Sequence, residues 1–148
     1  ITPLFGPGEL ANIAYFVAAG AGSTDRIALR TASAGGAYVA NVIPAAGNSG
    51  QVTGTTVPTK GVTRVIAMSW KLNELKLFVD GVAEGATDTT CDVAVGVGTL
   101  QIGNANGVKA STSSANARIK HVKVFKRALT TAEILQQTRI IQDAMGLL

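Results

Sequence analysis

Apolar residues along this chain come in short runs separated by small-residue turns. They read Ile13–Ala19, then Gly20-Ala21-Gly22-Ser23, then Arg26–Thr31, Ala34-Gly35-Gly36, and Ala37–Ile43. Turn signals recurring roughly every 8 to 12 residues between such runs are the mark of an all-β sandwich or barrel. Residues 44–63, rich in Pro, Gly, Asn, Thr and Ser, predict a long loop with at most one edge strand around Gly50–Thr56. Arg64–Lys71 (RVIAMSWK) and Leu75–Val79 (LKLFV) then predict two strands, and Asp80-Gly81 before Val82 predicts a hairpin. Both central positions of a type I′ turn need φ > 0, which Asp and Gly tolerate, so Asp80 reads as a turn residue rather than a ligand or catalytic carboxylate.

Further strands are predicted at Val93–Val97 and Thr99–Ile102, followed by the turn Gly103–Gly107 and a small, polar loop over 108–117. Residues 118–127 (RIKHVKVFKR) predict a last strand that closes the sheet. Only the end reads as helix, over 129–145: Thr130 stands as N-cap and Glu133 three residues on as its capping-box partner. Ile134, Leu135, Thr138, Ile141 and Met145 follow at helical spacing, and Gly146 stops the helix. No period repeats along the chain, which argues against solenoids and propellers. The predicted fold is an all-β, two-sheet antiparallel jelly-roll sandwich with one short C-terminal helix, a single domain over 1–148.

Composition narrows the class. Hydrophobic residues are 47% and charged residues 15% of 148, too apolar for disorder and too poor in charge for a coiled coil. One cysteine, Cys91, and one histidine, His121, leave no internal disulfide and no zinc cluster. No apolar run approaches the roughly 18 to 20 residues of a membrane span, so no membrane insertion is expected. The chain begins at Ile1 with no basic segment leading into an apolar one, and reads as a piece of a longer polypeptide. With a mean hydropathy of +0.30, it is expected to bury surface against copies of itself, a trimer being favoured.

Five of the 13 cations, and none of the 9 acids, lie in residues 118–127, and they carry the whole positive excess of the +4 chain. Such a patch points to nucleic acid or anionic glycan. The cations are interleaved with Ile119, Val122, Val124 and Phe125, however, as on a half-buried strand with one solvated face. That reading is preferred, and no nucleic-acid partner is expected.

Leu75–Gly81 (LKLFVDG), Leu100–Asn104 (LQIGN) and Ile119–Ile134 (IKHVKVFKRALTTAEI) together resemble the concanavalin A-like lectin/glucanase superfamily, in its branch of laminin-G-like jelly rolls. In that branch a hairpin ends in Tyr-Val-Asp-Gly, a strand in Ile-Gly-Asn, and a late strand runs into Arg-Ala-Leu-Thr/Ser-x-x-Glu-Ile. Phe78 stands here where the family usually has Tyr. The likeness covers roughly residues 60–135. The Lys/Arg-rich last segment running into a Leu-Thr-x-x-Glu helix start is similar to terminal domains of phage tail-fibre, tailspike and head-fibre proteins, which implies a virion-surface, extracellular setting.

The resemblance brings in glucanases, whose Glu-x-Asp-x-x-Glu strand supplies two carboxylates about 5 to 10 Å apart. Glu9, Glu74, Glu84 and Glu133 form no such motif, so no glycosidase is expected. His121, in a Lys-rich segment and with no Gly-x-Ser-x-Gly elbow in the chain, makes a poor catalytic base. Gly20-Ala21-Gly22 lacks the Lys-Ser/Thr of a phosphate loop. No enzyme activity and no cofactor are expected. Asp88, Asp92, Asn104 and Asn106 offer oxygens of the kind calcium takes, but in no dense run. No metal is assigned, and calcium at Asp88, Asp92 or Asn104 stays open.

Sugar binding needs an aromatic platform with a few amides or carboxylates. Trp70, at a strand end, and Tyr38, after a glycine turn, are the aromatics most able to be exposed; with Asn104 and Asn106 they form the candidate ligand set. The function expected is a non-enzymatic, lectin-like receptor-binding domain of a phage virion protein that recognises cell-surface glycan. The alternative is an assembly or decoration domain of the same fold that contacts other virion proteins and has no glycan site.

Overall fold

In this computed structural model the described residues are 1–3, 12–17, 25–32, 36–103 and 117–148. Among the described residues ten strands and one helix follow in chain order: β1 Thr2–Pro3, β2 Asn12–Val17, β3 Arg26–Thr31, β4 Tyr38–Ile43, β5 Gly50–Thr53, β6 Ile66–Lys71, β7 Glu74–Val79, β8 Val82–Asp88, β9 Thr99–Ile102, β10 Ala117–Arg118 and α1 Thr131–Ala144. All pairings are antiparallel. One sheet has the order β5-β4-β3-β2-β9, the other β6-β7-β8, and β1 with β10 makes a short separate ribbon.

The two sheets face each other through alternating apolar positions. Ile27, Leu29, Tyr38, Ala40, Val42 and Val52 from the larger sheet meet Leu75, Leu77 and Val79 of β7, with Cys91 filling the end of the core. Ile66, Met68 and Trp70 of β6 pack partly buried against the same cluster. The opposite faces of β4 and β7 are buried as well, at Val39, Asn41 and Phe78.

The β7–β8 hairpin turns at Asp80 (φ 50°) and Gly81 (φ 82°), both left-handed as a type I′ turn requires. Asp80 also fixes the entry to β6: its Oδ1 accepts from Val65 N at 2.8 Å and its Oδ2 from Arg64 Nη1 at 2.7 Å. Gly81 touches the helix, since a Cβ there would lie 2.8 Å from Leu135 Cδ1. The helix begins with the full capping box, Thr130 accepting from Glu133 N while the Glu133 carboxylate accepts from Thr130 N. Ile134 and Thr138 are its buried residues. Ser69 Oγ donates to Leu129 O at 3.1 Å and so ties the chain ahead of the helix to β6.

Two predicted strands are not formed. Residues 93–98 have no regular structure, and the last strand is confined to Ala117–Arg118. Instead of pairing, residues 119–129 run beside β6, whose second edge has no strand partner among the described residues. The cause lies in the apolar register: Ile119 and Phe125 fall on odd positions, Val122 and Val124 on even ones, so no single face of a paired strand collects them. The helix spans 131–144 rather than 129–145.

Candidate functional site

Between β6 and residues 119–129 lies a cavity of about 530 Å³. Its floor is Ile27 and Leu29 of β3. One wall is β6, including Met68 and Trp70; the other is formed by Val122, Phe125 and Leu129, and α1 closes the end with Ile134 and Ile141. Trp70 is half-buried, packed on one side against the core and lining the cavity on the other. The Lys and Arg side chains on the lining are Arg64, Lys71, Lys120, Lys123, Lys126 and Arg127, His121 also lines it, and no Asp or Glu is among the lining residues.

Of the sequence-predicted ligand residues, Trp70 is the one on this cavity. Tyr38 is fully buried, which corrects the expectation that it is exposed. It shares the inward face of β4 with Ala40 and Val42, so a preceding glycine turn does not bring it to the surface. Its hydroxyl is buried without a hydrogen-bond partner among the described residues, and burial pushes the phenol up to about 12. Asn104 and Asn106 lie outside the described residues. Sequence reasoning missed Met68, Leu129 and Ile141 as cavity residues. The inward alternation of Ile66, Met68 and Trp70 was the available signal for the first.

Five carboxylates are committed to structure. Glu84 Oε2 accepts from Thr55 N at 2.9 Å and Thr56 N at 3.0 Å, and Oε1 accepts from the Thr56 hydroxyl. Burial alone would raise this carboxyl, but the Thr56 hydroxyl and the two amides outweigh it and hold it below its ordinary value. Asp88 accepts from Thr90 N and Oγ1 and from Gln51 N, bonds that lower it, the Thr90 amide first. Asp92 Oδ2 accepts from Asn48 N at 2.7 Å. Glu74 is lowered chiefly by Lys76, 2.9 Å away. Glu133 is held near 2, first by Arg127 and then by Thr130. A general acid working near neutral pH needs its carboxyl raised, and those of Glu74, Glu84, Asp88 and Glu133 are lowered.

Asp88 and Asp92 thus clamp the loops beside β5, and among the described residues no group of three or more His, Cys, Asp or Glu is placed to hold a metal ion. No helix among the described residues is long and apolar enough to cross a membrane. Cys91 is buried, its thiol raised by burial first and by Asp88 next, with Sγ 3.7 Å from Lys71 O.

Two antiparallel sheets stacked on one core, with a capped C-terminal helix, define a jelly-roll sandwich. The chain belongs to the laminin-G-like family of the concanavalin A-like lectin/glucanases superfamily, whose sequence model matches residues 7–135. That superfamily holds both enzymes and non-enzymes. Among solved structures, a fragment (residues 221–444) of an S-layer domain-containing protein from Clostridium thermocellum is similar at 18% identity and a TM-score of 0.47. The match covers 90% of this chain and 65% of that one. Among curated proteins, none matches this chain in sequence.

Proposed function

We propose that this domain is a non-catalytic carbohydrate-binding module whose sugar site includes Trp70. The observation that carries the reading is the position of Trp70: a half-buried indole on the wall of an open cavity, in a chain that belongs to a lectin-type family. An indole face held rigidly by the core, with polar and cationic groups around it, is the device by which proteins stack on the apolar face of a sugar. The lowered carboxylates support binding without hydrolysis.

The proposal extends to the setting. The Lys/Arg-rich segment leading into Leu-Thr-x-x-Glu supports a place on a phage virion surface, with host-cell glycan as partner. Exposed apolar side chains such as Val95 (87%) and Leu72 (58%) support self-association, with a trimer favoured, and are the observation favouring an assembly or decoration role as second reading.

A glycan array tests the first reading. Wild type is expected to be retained and Trp70→Leu, which keeps an apolar side chain against the core, to be released. Tyr38→Phe, a change in the core, is expected to bind as wild type. Retention of Trp70→Leu would place the sugar elsewhere, and light scattering that finds a monomer would remove the assembly reading.

A further inference from the structure

The cavity of about 530 Å³ beside β6 is open to solvent. It falls within the roughly 300 to 1,000 Å³ of small-molecule sites. Its inner surface is hydrocarbon and aromatic: Leu29, Met68, Trp70, Phe125, Leu129 and Ile141. An alkyl chain placed there would remove apolar surface from water on both sides.

The charge around the lining is one-sided. Arg64 and Arg127 are neutralised by Asp80 and Glu133, and Lys71 stands 3.5 Å from Glu74. Lys123 Nζ donates to the neutral Gln137 amide at 3.0 Å. Lys120 and Lys126, both exposed, have neither an ion-pair nor a hydrogen-bond partner among the described residues. Uncompensated positive charge on the lining of a hydrocarbon cavity complements a molecule with an apolar body and one anionic head.

We propose that the cavity beside β6 binds a single-chain anionic amphiphile, its acyl chain between Trp70 and Phe125 and its headgroup at Lys120 and Lys126. This ligand class goes beyond the sugar reading and stands without it, because sugar retention and chain binding are scored by separate probes.

Trp70 is the sole tryptophan, so its emission reports this cavity directly. The purified domain is titrated with laurate, dodecyl maltoside and dodecyltrimethylammonium, each below its micelle concentration, with acetate as the chain-free control. Laurate is expected to give a saturable blue shift at one molecule per chain, to bind more tightly than either other surfactant, and to weaken with salt. Acetate is expected to give nothing. The double variant Lys120→Glu/Lys126→Glu, at exposed positions, is expected to bind laurate about tenfold more weakly, and the Lys→Gln pair to fall between.

No saturable response to laurate, equal affinity for dodecyltrimethylammonium, or an unchanged affinity in the double variant would overturn the proposal. Hydrogen exchange supplies an independent check. If the amides of 122–126 in the free protein are protected as strongly as those of β7, the segment pairs with β6 and fills the cavity itself, and the proposal falls. Slow protection confined to β7 and β8 agrees with an open cavity.

Discussion

Glu84 joins the two sheets, and its removal has a size that can be worked from its contacts. The residue sits on β8, while its three donors, Thr55 N, Thr56 N and the Thr56 hydroxyl, belong to the chain that continues from β5. The Thr55 contact is exposed, so water replaces it at little cost; the two Thr56 contacts are partly buried. A net hydrogen bond is worth about 1 kcal/mol, so Glu84→Ala is expected to cost about 2 kcal/mol at neutral pH. For a chain of this length that lowers Tm by about 6 °C. Glu84→Gln keeps the acceptor for the amides and is expected to cost about 1 kcal/mol.

The same pair of variants predicts a pH dependence. The folded carboxyl lies below its ordinary value of 4.5, so the stabilisation from its charge is fully present above that value and is lost as pH falls through the folded one. The gap between wild type and Glu84→Gln, read by urea unfolding, is expected to be constant from pH 7 to about 5 and to shrink on further acidification. A cost for Glu84→Ala under about 0.5 kcal/mol, or a gap that widens in acid, would refute the claim that this carboxylate joins the sheets.

Three other substitutions test separate parts of the fold. Tyr38→Phe removes a buried hydroxyl that has no partner among the described residues, and is expected to raise stability by about 1 kcal/mol in urea; a loss would mean that the hydroxyl is hydrogen-bonded. Gly85 has φ +73° and a Cβ there would strike the Thr53 carbonyl oxygen, so Gly85→Ala is expected to cost about 3 kcal/mol, whereas an unchanged melting curve would show that β5 and β8 are not in close approach. Thr130→Ala is expected to lose about 1 kcal/mol and to fray the first turn of α1 by circular dichroism, and no change would deny the cap.

What the sequence made legible follows local chemistry. Arg26–Thr31 and the Asp80-Gly81 turn appear where alternation and turn residues placed them, and Thr130 with Glu133 starts the helix as its capping box required. The failures come where a residue's face depends on distant partners. Tyr38 follows a glycine turn, which marks a loop, but its inward direction is set by the Ala40 and Val42 register against β7. Residues 118–127 have strand composition and broken periodicity, and composition alone does not supply a pairing face. The cavity was illegible because it exists between β6 and a segment some fifty residues later, and only Trp70 of its wall stood out as a candidate.

If the proposed function holds, Trp70 forms the binding surface of a non-catalytic sugar-recognition domain. The most direct test is calorimetric titration of wild type and Trp70→Leu with whichever oligosaccharide the array retains, both proteins first shown to be folded by circular dichroism. Wild type is expected to bind saturably with the sugar recovered intact, and the variant to give no measurable heat. Equal binding by the two proteins, or hydrolysis of the sugar, would contradict that function.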